Sequence, residues 1–341
     1  MRTAADWESG NLERVEEFRI RWAWAMAERL ETGFTGVVRV KNEAASIPFV
    51  LPSLLRATEH VILVDNDSTD GTPDLALEVA ASMGASNKLQ VLHYPFSVSR
   101  CGPEHLATPA DSVHSLTYFY NWAFSHVRTT YALKWDGDMV LTDVGVDALR
   151  ALAWQLESAE CIVTMLRCPL YVADARTAFL DLSLVNREPW AWPNREGYEH
   201  TKAFEWEQLL WPRTMPVLSL PDWSCVELKH LNEDEFDHWS SEDFDTSSRT
   251  HRKRREWEVF RALVDDAEPP LGVQRIDTPD DRHVIDYVRA EWIPKNEDEL
   301  RRLQRNALVR IAITKTVDRA RSVVRRRAGG RGESVATPSA T

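Results

Sequence analysis

Two aspartates separated by one residue, Asp136 and Asp138, directly follow a predicted strand at residues 131–135. Carboxylates this close together can jointly hold a hard divalent cation, because Mg²⁺ and Mn²⁺ prefer oxygen ligands and are often shared with substrate phosphates. The spacing alone is weak evidence, since it recurs at 65/67 and 243/245. Only the pair at 136/138 follows a strand that lines up with two other polar strand ends, and this context favours a metal site.

Polar residues also follow the first two predicted strands, at residues 36–40 and 61–64. The first strand ends in Arg-Val-Lys-Asn-Glu (39–43) and the second in Asp-Asn-Asp-Ser-Thr-Asp-Gly-Thr (65–72). Ligands of open α/β sheets bind beyond the carboxyl ends of the strands, so these runs predict a binding site at one sheet edge. The second run is also typical of a tight strand-to-helix turn, and both interpretations can hold together.

The elements that must position these residues alternate between strands and helices in the first half of the chain, which predicts an α/β sheet with parallel neighbours. Further strands are predicted at 89–92, 161–166 and 178–182. Helices are predicted at 6–31, 44–55, 72–84, 118–126, 249–264 and 297–327. Between 189 and 223 the chain is rich in Trp and Pro and has no clear periodicity.

The runs 38–43, 64–72 and 133–138 resemble, in sequence, order and spacing, those of glycosyltransferase family 2, which has the GT-A fold. The resemblance covers about Thr35 to Glu157 well and the rest of the chain loosely. It implies a Rossmann-like, mixed and mostly parallel sheet flanked by helices, extended here by helices at both ends. It also implies a metal-dependent, inverting transfer of a sugar from a nucleotide-diphosphate donor to a hydroxyl of a glycan or glycolipid acceptor.

The resemblance also implies roles for individual residues. The donor's base and ribose would lie among Arg39, Lys41, Asn42 and Glu43, with Asp65 and Asn66 at the nucleoside. Asp138 would be the main ligand of Mn²⁺ or Mg²⁺, with Asp136 near the ribose or the metal shell and His230 completing that shell. A histidine bonded within the fold is an equal alternative for His230. Asn121 matches an Arg-Asn-x-Ala motif whose arginine is absent here, so Arg100 is a further candidate for a phosphate contact.

Inversion at an anomeric carbon needs a carboxylate that takes the proton of the attacking hydroxyl. This base is expected after the metal-binding strand, where the resemblance is weakest. Glu199, in the run Gly-Tyr-Glu-His, is favoured over Asp222 and Glu205, because it lies in an aromatic-rich stretch that could form an acceptor surface. The alternative for any one of these acids is an ordinary solvated side chain.

The net charge of −12 is unevenly distributed along the 341 residues. The segment 301–331 carries a net charge of +10 and Glu333 adds −1, which leaves −21 on residues 1–300. Such an acidic body is not expected to bind nucleic acid in general. The basic helix either packs on the acidic body or contacts anionic lipid at the inner face of a membrane. With no apolar run long enough for a membrane span and no signal-peptide stretch, a cytoplasmic location is expected.

These patterns divide the chain into parts, predicted as follows: an N-terminal helix (1–33), a nucleotide-sugar-binding half (34–158), an acceptor-side half (159–248), a helical region (249–328) and a disordered tail (329–341). Two other functions are weighed against the transferase. A non-catalytic nucleotide-sugar-binding scaffold or sensor would bind the donor without transfer. A sugar-phosphate nucleotidyltransferase would need a glycine-rich phosphate loop after the first strand, and residues 39–45 contain no glycine.

Overall fold

A computed structural model of the chain describes residues 10–156, 159–183, 186–232, 236 and 250–305. Its helices are α1 (Ala23–Met26), α2 (Ile47–Ala57), α3 (Thr72–Ser82), α4 (Pro103–Ala107), α5 (Leu116–Ser125), α6 (Asp143–Gln155), α7 (Thr250–Val264) and α8 (Val284–Tyr287). Its strands are β1 (Glu31–Val40), β2 (His60–Asp65), β3 (Leu89–His93), β4 (Thr129–Asp136), β5 (Met139–Leu141), β6 (Ile162–Val172), β7 (Thr177–Asp181), β8 (Asn186–Pro193), β9 (Glu199–Ala203), β10 (Trp206–Leu210), β11 (Val217–Ser219), β12 (Cys225–His230) and β13 (Val273–Asp277).

One large sheet runs through both halves of the chain in the order β13-β7-β6-β8-β4-β1-β2-β3. The strands β4, β1, β2 and β3 are mutually parallel, as predicted, and β8 joins them to β6 by antiparallel pairing. β12 lies between β6, to which it is parallel, and the short β5. β9 and β10 form a separate hairpin. The predicted α/β fold class is confirmed: the sheet is mixed, and its motif-bearing strands are adjacent and parallel.

Helices cover both faces of this sheet, because its central strands are apolar on both sides. Val38 of β1 and Leu63 of β2 belong to one buried cluster with α2 and α6. Their neighbours Val37 and Ile62 belong to a second cluster with α5. Successive strand residues point to opposite faces, so the two clusters are the two sides of one sheet. The carboxyl ends of the strands are therefore the open edge.

The predicted N-terminal helix is wrong over the described residues 10–30, which contain only a 3₁₀ turn at Glu16–Phe18 and the four residues of α1. Val15, Phe18, Trp22 and Met26 have the spacing of one helix face, which is the pattern behind the prediction, but Phe18 and Trp22 pack in the second cluster without forming a helix. Phe18 lies 4.8 Å from Phe96 and 5.3 Å from Trp122, measured between ring centroids. An irregular chain thus buries its aromatic side chains against α5. Gly33, the predicted helix end, lies inside β1.

The predicted charged helix at 249–264 is confirmed as α7. The next predicted helix begins earlier than expected, since α8 continues through a π-helical turn, Val288–Trp292, into a helix at 293–305. Leu300 is buried and Leu303 packs on the main core, so the described beginning of the basic helix contacts the body. The predicted helix beyond 305 and the predicted tail lie outside the described residues. Among the described helices, none is both long and apolar enough to cross a membrane.

Candidate functional site

The ends of β1, β2 and β4 meet in a cavity of 480 Å³. The predicted site residues that line it are Arg39, Lys41, Glu43, Asn66, Arg100, Asp136 and Asp138. Those that do not line it are Asn42, Asp65, Asn121, Glu199, Asp222 and His230. The motifs of the first half therefore come together as predicted. The predictions made in the second half do not reach this cavity.

Asp136, the last residue of β4, lies opposite Arg39 in the register of β1 and β4, and the two side chains form an ion pair. The guanidinium of Arg39 also stacks on the ring of Tyr120, with its central carbon 3.9 Å from the ring centroid. Burial opposes ionisation of Asp136, but Arg39 and Lys134 outweigh it and hold the pKa of this carboxyl below its usual value. Asp136 is therefore a partly buried anion that is already neutralised within the protein.

β12 contributes two charged residues to the cavity that the sequence motifs do not indicate, Glu227 and Lys229. They are two positions apart, so both point to the same face of the strand, whereas His230 points to the other. His230 Nε2 lies 3.3 Å from Ser46 Oγ, outside the cavity lining. The alternation in Val-Glu-Leu-Lys-His could have identified Glu227 and Lys229, and it argues against the predicted metal role of His230.

Glu227 connects Arg167 of β6 with Lys229 of β12. Its carboxylate lies 3.1 Å from Arg167 Nε and 3.1 Å from Lys229 Nζ. Burial disfavours the charged form, but Arg167 and Lys229 outweigh it, so the pKa of Glu227 is well below its usual value. The sequence offers no local signal for Arg167, which reaches the site because β6 pairs with β12.

The polar run 65–72 folds as the predicted strand-to-helix turn. Asp65 accepts a hydrogen bond from the backbone N–H of Ser68 at 3.2 Å, and its other oxygen lies 3.2 Å from His93 Nδ1. Asn42 has a φ of 58° and accepts a hydrogen bond from the backbone of Thr69 at 2.8 Å. These two predicted donor contacts therefore hold the turn, outside the cavity lining.

Asn66 and Asn121 were both predicted to contact the donor, and the structure separates them. Asn66 lines the cavity while its amide donates to the carbonyls of Tyr94 and Phe96, at 2.9 and 2.7 Å. Asn121 is fully buried on α5, and its side chain exchanges two 2.8 Å hydrogen bonds with the backbone of His200. Asn121 thereby joins α5 to β9, which leaves Arg100 as the predicted phosphate contact that lines the cavity.

The three acids considered as catalytic bases lie outside the cavity lining. Asp222 forms an ion pair with Arg187, Glu199 begins β9, and Glu205 precedes β10. Glu207, two residues after Glu205, lines the cavity instead, and its side chain is 7% exposed. Of the residues of β10, Glu207 lines the cavity, and the segment around it has no clear periodicity that could have identified it.

Glu207 lies farther from its cationic partner than Asp138 and Glu227 lie from theirs. Lys134 Nζ lies 3.7 Å from its carboxylate, beyond hydrogen-bonding distance. Cys101 Sγ, on the facing loop, lies 3.9 Å from Oε2. Cys101 is exposed, whereas the other three cysteines are buried. Glu207 is thus an acid whose oxygens are not all committed to strong hydrogen bonds with cations.

Gly137 occupies the turn between the two aspartates. A Cβ atom here would lie 2.7 Å from Glu43 Cγ and 3.0 Å from Val40 Cγ1. The turn is further fixed because Leu228 N–H donates to the carbonyl of Asp138 at 2.7 Å. The close approach of the first and third motifs therefore requires glycine at this position.

We expect Gly137→Ala to lower the free energy of unfolding by about 1–3 kcal/mol, the usual cost of overpacking a closely packed site. Urea denaturation would measure the change. Gly36→Ala is the matched control, since the nearest atom to its added Cβ, Leu54 Cδ2, would lie at 3.6 Å, an ordinary contact. Equal losses in the two variants would contradict this account of the turn.

Cationic side chains outnumber acidic ones around the cavity, although the whole chain is acidic. The cations are Arg39, Lys41, Arg100, Lys134, Arg167, Lys229, Arg252 and Lys253, and the acids are Glu43, Asp136, Asp138, Glu188, Glu207 and Glu227. The Nε atom of Arg39 is buried without a hydrogen-bond partner. A cavity of this charge and composition suits a ligand with several negative charges.

The carboxylates predicted to hold a divalent metal already have cationic partners. Carboxylate oxygens are suitable ligands for Mn²⁺ or Mg²⁺. Here, however, Asp136 contacts Arg39 and Arg167, and Asp138 Oδ2 lies 3.0 Å from Lys229 Nζ. Within the described part of the chain, no group of three His, Cys, Asp or Glu residues is arranged to hold a metal ion. The residues as arranged do not fit a divalent cation at this pair.

Comparison with solved structures finds three glycosyltransferase-type proteins among the similar chains. TarS 1–349 of S. aureus is 17% identical, with 48% of this chain and 47% of that chain covered and a TM-score of 0.29. Glucosyl-3-phosphoglycerate synthase of Mycobacterium tuberculosis, solved with Mn²⁺, UDP and phosphoglyceric acid, is 15% identical, with coverages of 49% and 47% and a TM-score of 0.26. The mannosyltransferase PcManGT of Pyrobaculum calidifontis, solved with GDP-Man and Mn²⁺, is 14% identical, with coverages of 89% and 81% and a TM-score of 0.37.

The matched region spans about half the length of the first two of these structures. No family model matches the sequence, and no curated protein matches it. The fold itself defines an α/β protein with a charged cavity at the carboxyl ends of parallel strands, the architecture expected from the motifs that resemble the GT-A fold.

Proposed function

We propose that this chain is a glycosyltransferase that moves a sugar from a nucleotide-diphosphate donor to a hydroxyl of a glycan or glycolipid acceptor. The observation that carries the proposal is the meeting of the three predicted motifs in one cavity. Arg39 follows from the first motif, Asn66 from the second and Asp136 from the third. Such a cavity beyond the carboxyl ends of parallel strands is where α/β proteins bind nucleotides.

The charges of the cavity support an anionic donor. A nucleotide diphosphate carries negative charges that Arg39, Arg167 and Lys229 can offset, while Lys41, Glu43 and Asn66 lie at the end where the first two motifs meet. Arg100, on the facing loop, is available for a further phosphate contact. We therefore assign the nucleoside to the edge formed by β1 and β2. We assign the diphosphate to Arg39, Arg167 and Lys229.

Glu207 is the catalytic base that we propose in place of Glu199 and Asp222. It lies on the β9–β10 hairpin, whereas the cations Arg167 and Lys229 lie on β6 and β12. Its 3.7 Å separation from Lys134 leaves oxygen lone pairs for an acceptor hydroxyl. In an inverting transfer the hydroxyl proton passes to Glu207 as the oxygen attacks the anomeric carbon, opposite the departing diphosphate.

The donor is tested by thermal denaturation of the full chain with a panel of nucleotide sugars. A donor that binds the folded state stabilises it by mass action, so one member of the panel is expected to raise the melting temperature in a concentration-dependent manner. A nucleoside monophosphate and the free sugar serve as controls. Release of the nucleoside diphosphate on addition of an acceptor extract would then distinguish transfer from sensing. No stabilisation by any nucleotide sugar would contradict the proposal.

A further inference from the structure

The amine of Lys229 lies between two carboxylates at the centre of the cavity. Its Nζ atom is 3.0 Å from Asp138 Oδ2 and 3.1 Å from Glu227 Oε1, and its side chain is only 3% exposed. Such charge-assisted contacts are stronger than neutral hydrogen bonds. The ammonium thus contacts the carboxylate that the sequence predicted to bind a metal.

Arg167 and Arg39 extend the same arrangement to Asp136. Arg167 Nη1 lies 3.6 Å from Asp136 Oδ2, and its Nε contacts Glu227 at 3.1 Å. Arg39 pairs with the other oxygen of Asp136. Asp136, Asp138 and Glu227 thus hold three cations that line the cavity. Arg167 and Lys229 are buried, and Arg39 is partly buried. A divalent ion bound to the same carboxylates would lie against these like charges, which is unfavourable at short range.

We propose that Lys229, together with Arg167 and Arg39, binds the diphosphate of the donor in place of a divalent metal. Asp138, Asp136 and Glu227 are then positioning residues that hold the cations. This inference rests on the proposed function, because it assumes a nucleotide-diphosphate donor. Fixed cations aimed at a leaving group stabilise the charge that develops on it without reorganisation during the reaction.

The chemistry balances without a further reactant. The acceptor oxygen forms a bond to the anomeric carbon, and its proton passes to Glu207. The bond from that carbon to the diphosphate oxygen breaks, and its electron pair remains on the β-phosphate. Lys229 and the two arginines offset the resulting charge. The products are the glycosylated acceptor and a nucleoside diphosphate.

The test uses titration calorimetry on full-length protein stripped of metals. UDP, GDP, ADP, CDP and dTDP are titrated in turn, once in EDTA and once in MnCl₂. At least one is expected to bind with the same affinity, within about twofold, under both conditions. In EDTA, Lys229→Met is expected to weaken that binding about tenfold or more, the loss of one charge-assisted contact. Lys229→Arg, which keeps the charge, should retain most of the affinity.

Two further readouts separate a role in binding from a role in folding. Lys229→Met frees oxygens of Asp138 and Glu227, so Mn²⁺ should recover part of its lost affinity while leaving the wild type unchanged. Lys88→Met is the matched control. Its amine is also partly buried, but donates to the carbonyls of Leu55 and Thr58, at 2.7 and 2.6 Å, outside the cavity lining. Its affinity should equal that of the wild type.

The outcomes are distinguishable. Wild-type binding that requires Mn²⁺ would overturn this inference and leave the proposed function in place. Absence of binding by every nucleoside diphosphate in both conditions would overturn the proposed function, and this inference with it. If Lys229→Met fails to fold, the comparison of wild-type affinities in EDTA and Mn²⁺ decides alone.

Discussion

Replacing Glu227 by alanine is expected to lower the free energy of unfolding by about 3–5 kcal/mol, because removal of one partner leaves buried charges uncompensated. The carboxylate contacts Arg167 and Lys229, whose side chains are 7% and 3% exposed. Chemical denaturation at neutral pH would measure the loss, and circular dichroism would report whether the variant folds.

A matched control separates this effect from the loss of any ion pair. Glu258 pairs with Arg254 at 3.2 Å on the exposed face of α7, with side chains 47% and 51% exposed. Exposed pairs contribute about 0–1 kcal/mol, so Glu258→Ala should change the free energy of unfolding little. Comparable losses of stability for the two variants would contradict the conclusion that Glu227 compensates the buried charges of Arg167 and Lys229.

The same residue gives a pH dependence with a definite sign. The pKa of Glu227 is lower in the folded protein than its usual value, because Arg167 and Lys229 outweigh the effect of burial. Its contribution is therefore fully present above a pH of about 4.3, the usual pKa of glutamate, and is lost as the pH falls towards the folded-state pKa. Glu227→Gln should show a shallower decline of stability below that pH than the wild type.

Replacing Glu207 by glutamine is expected to reduce kcat by a factor of about 10²–10⁴, the range associated with loss of general base catalysis. Glutamine keeps the shape of the side chain but cannot accept the proton of the acceptor hydroxyl. Donor affinity should change less than kcat, because the ion pair of Glu207 is with Lys134, which is not among the cations assigned to the diphosphate. Initial rates of nucleoside diphosphate release, with titration calorimetry of the donor, would measure the two effects separately.

Glu199→Gln and Asp222→Asn test the alternatives drawn from the sequence. Both residues lie outside the cavity lining, so these variants are expected to retain more turnover than Glu207→Gln. A large loss of kcat in either one, with Glu207→Gln unaffected, would show that the base is elsewhere. A loss of donor affinity in Glu207→Gln would instead identify a binding residue.

The first half of the site could be predicted because its signals are local. Each of β1, β2 and β4 is a short apolar run that ends in polar residues, and parallel strands bring such ends together without knowledge of side-chain packing. Arg39, Asn66, Asp136 and Asp138 were found in this way. The same local signals cannot distinguish residues that face a ligand from those that build the turn, so Asp65 and Asn42 were included with them.

The second half could be predicted only in part, because most of its residues meet through strand pairing over long separations. Arg167 and Glu227 lie on β6 and β12, 60 positions apart in the sequence, and only the pairing of these strands brings them into contact. His230 was chosen for its chemistry, although strand periodicity places its neighbour Lys229 in the cavity. In the N-terminal segment, apolar residues have the spacing of a helix face, although the chain that packs them against α5 is mostly irregular.

Cys101 provides a site at the cavity where a chemical label can be attached. It is the exposed thiol of the chain, while the three remaining cysteines are buried, and it lies 3.9 Å from the carboxylate of Glu207. A thiol-reactive fluorophore would therefore attach beside the donor cavity of the unmodified sequence. Occupancy of the cavity then becomes an optical measurement that requires no acceptor, no radioactive sugar and no engineered residue.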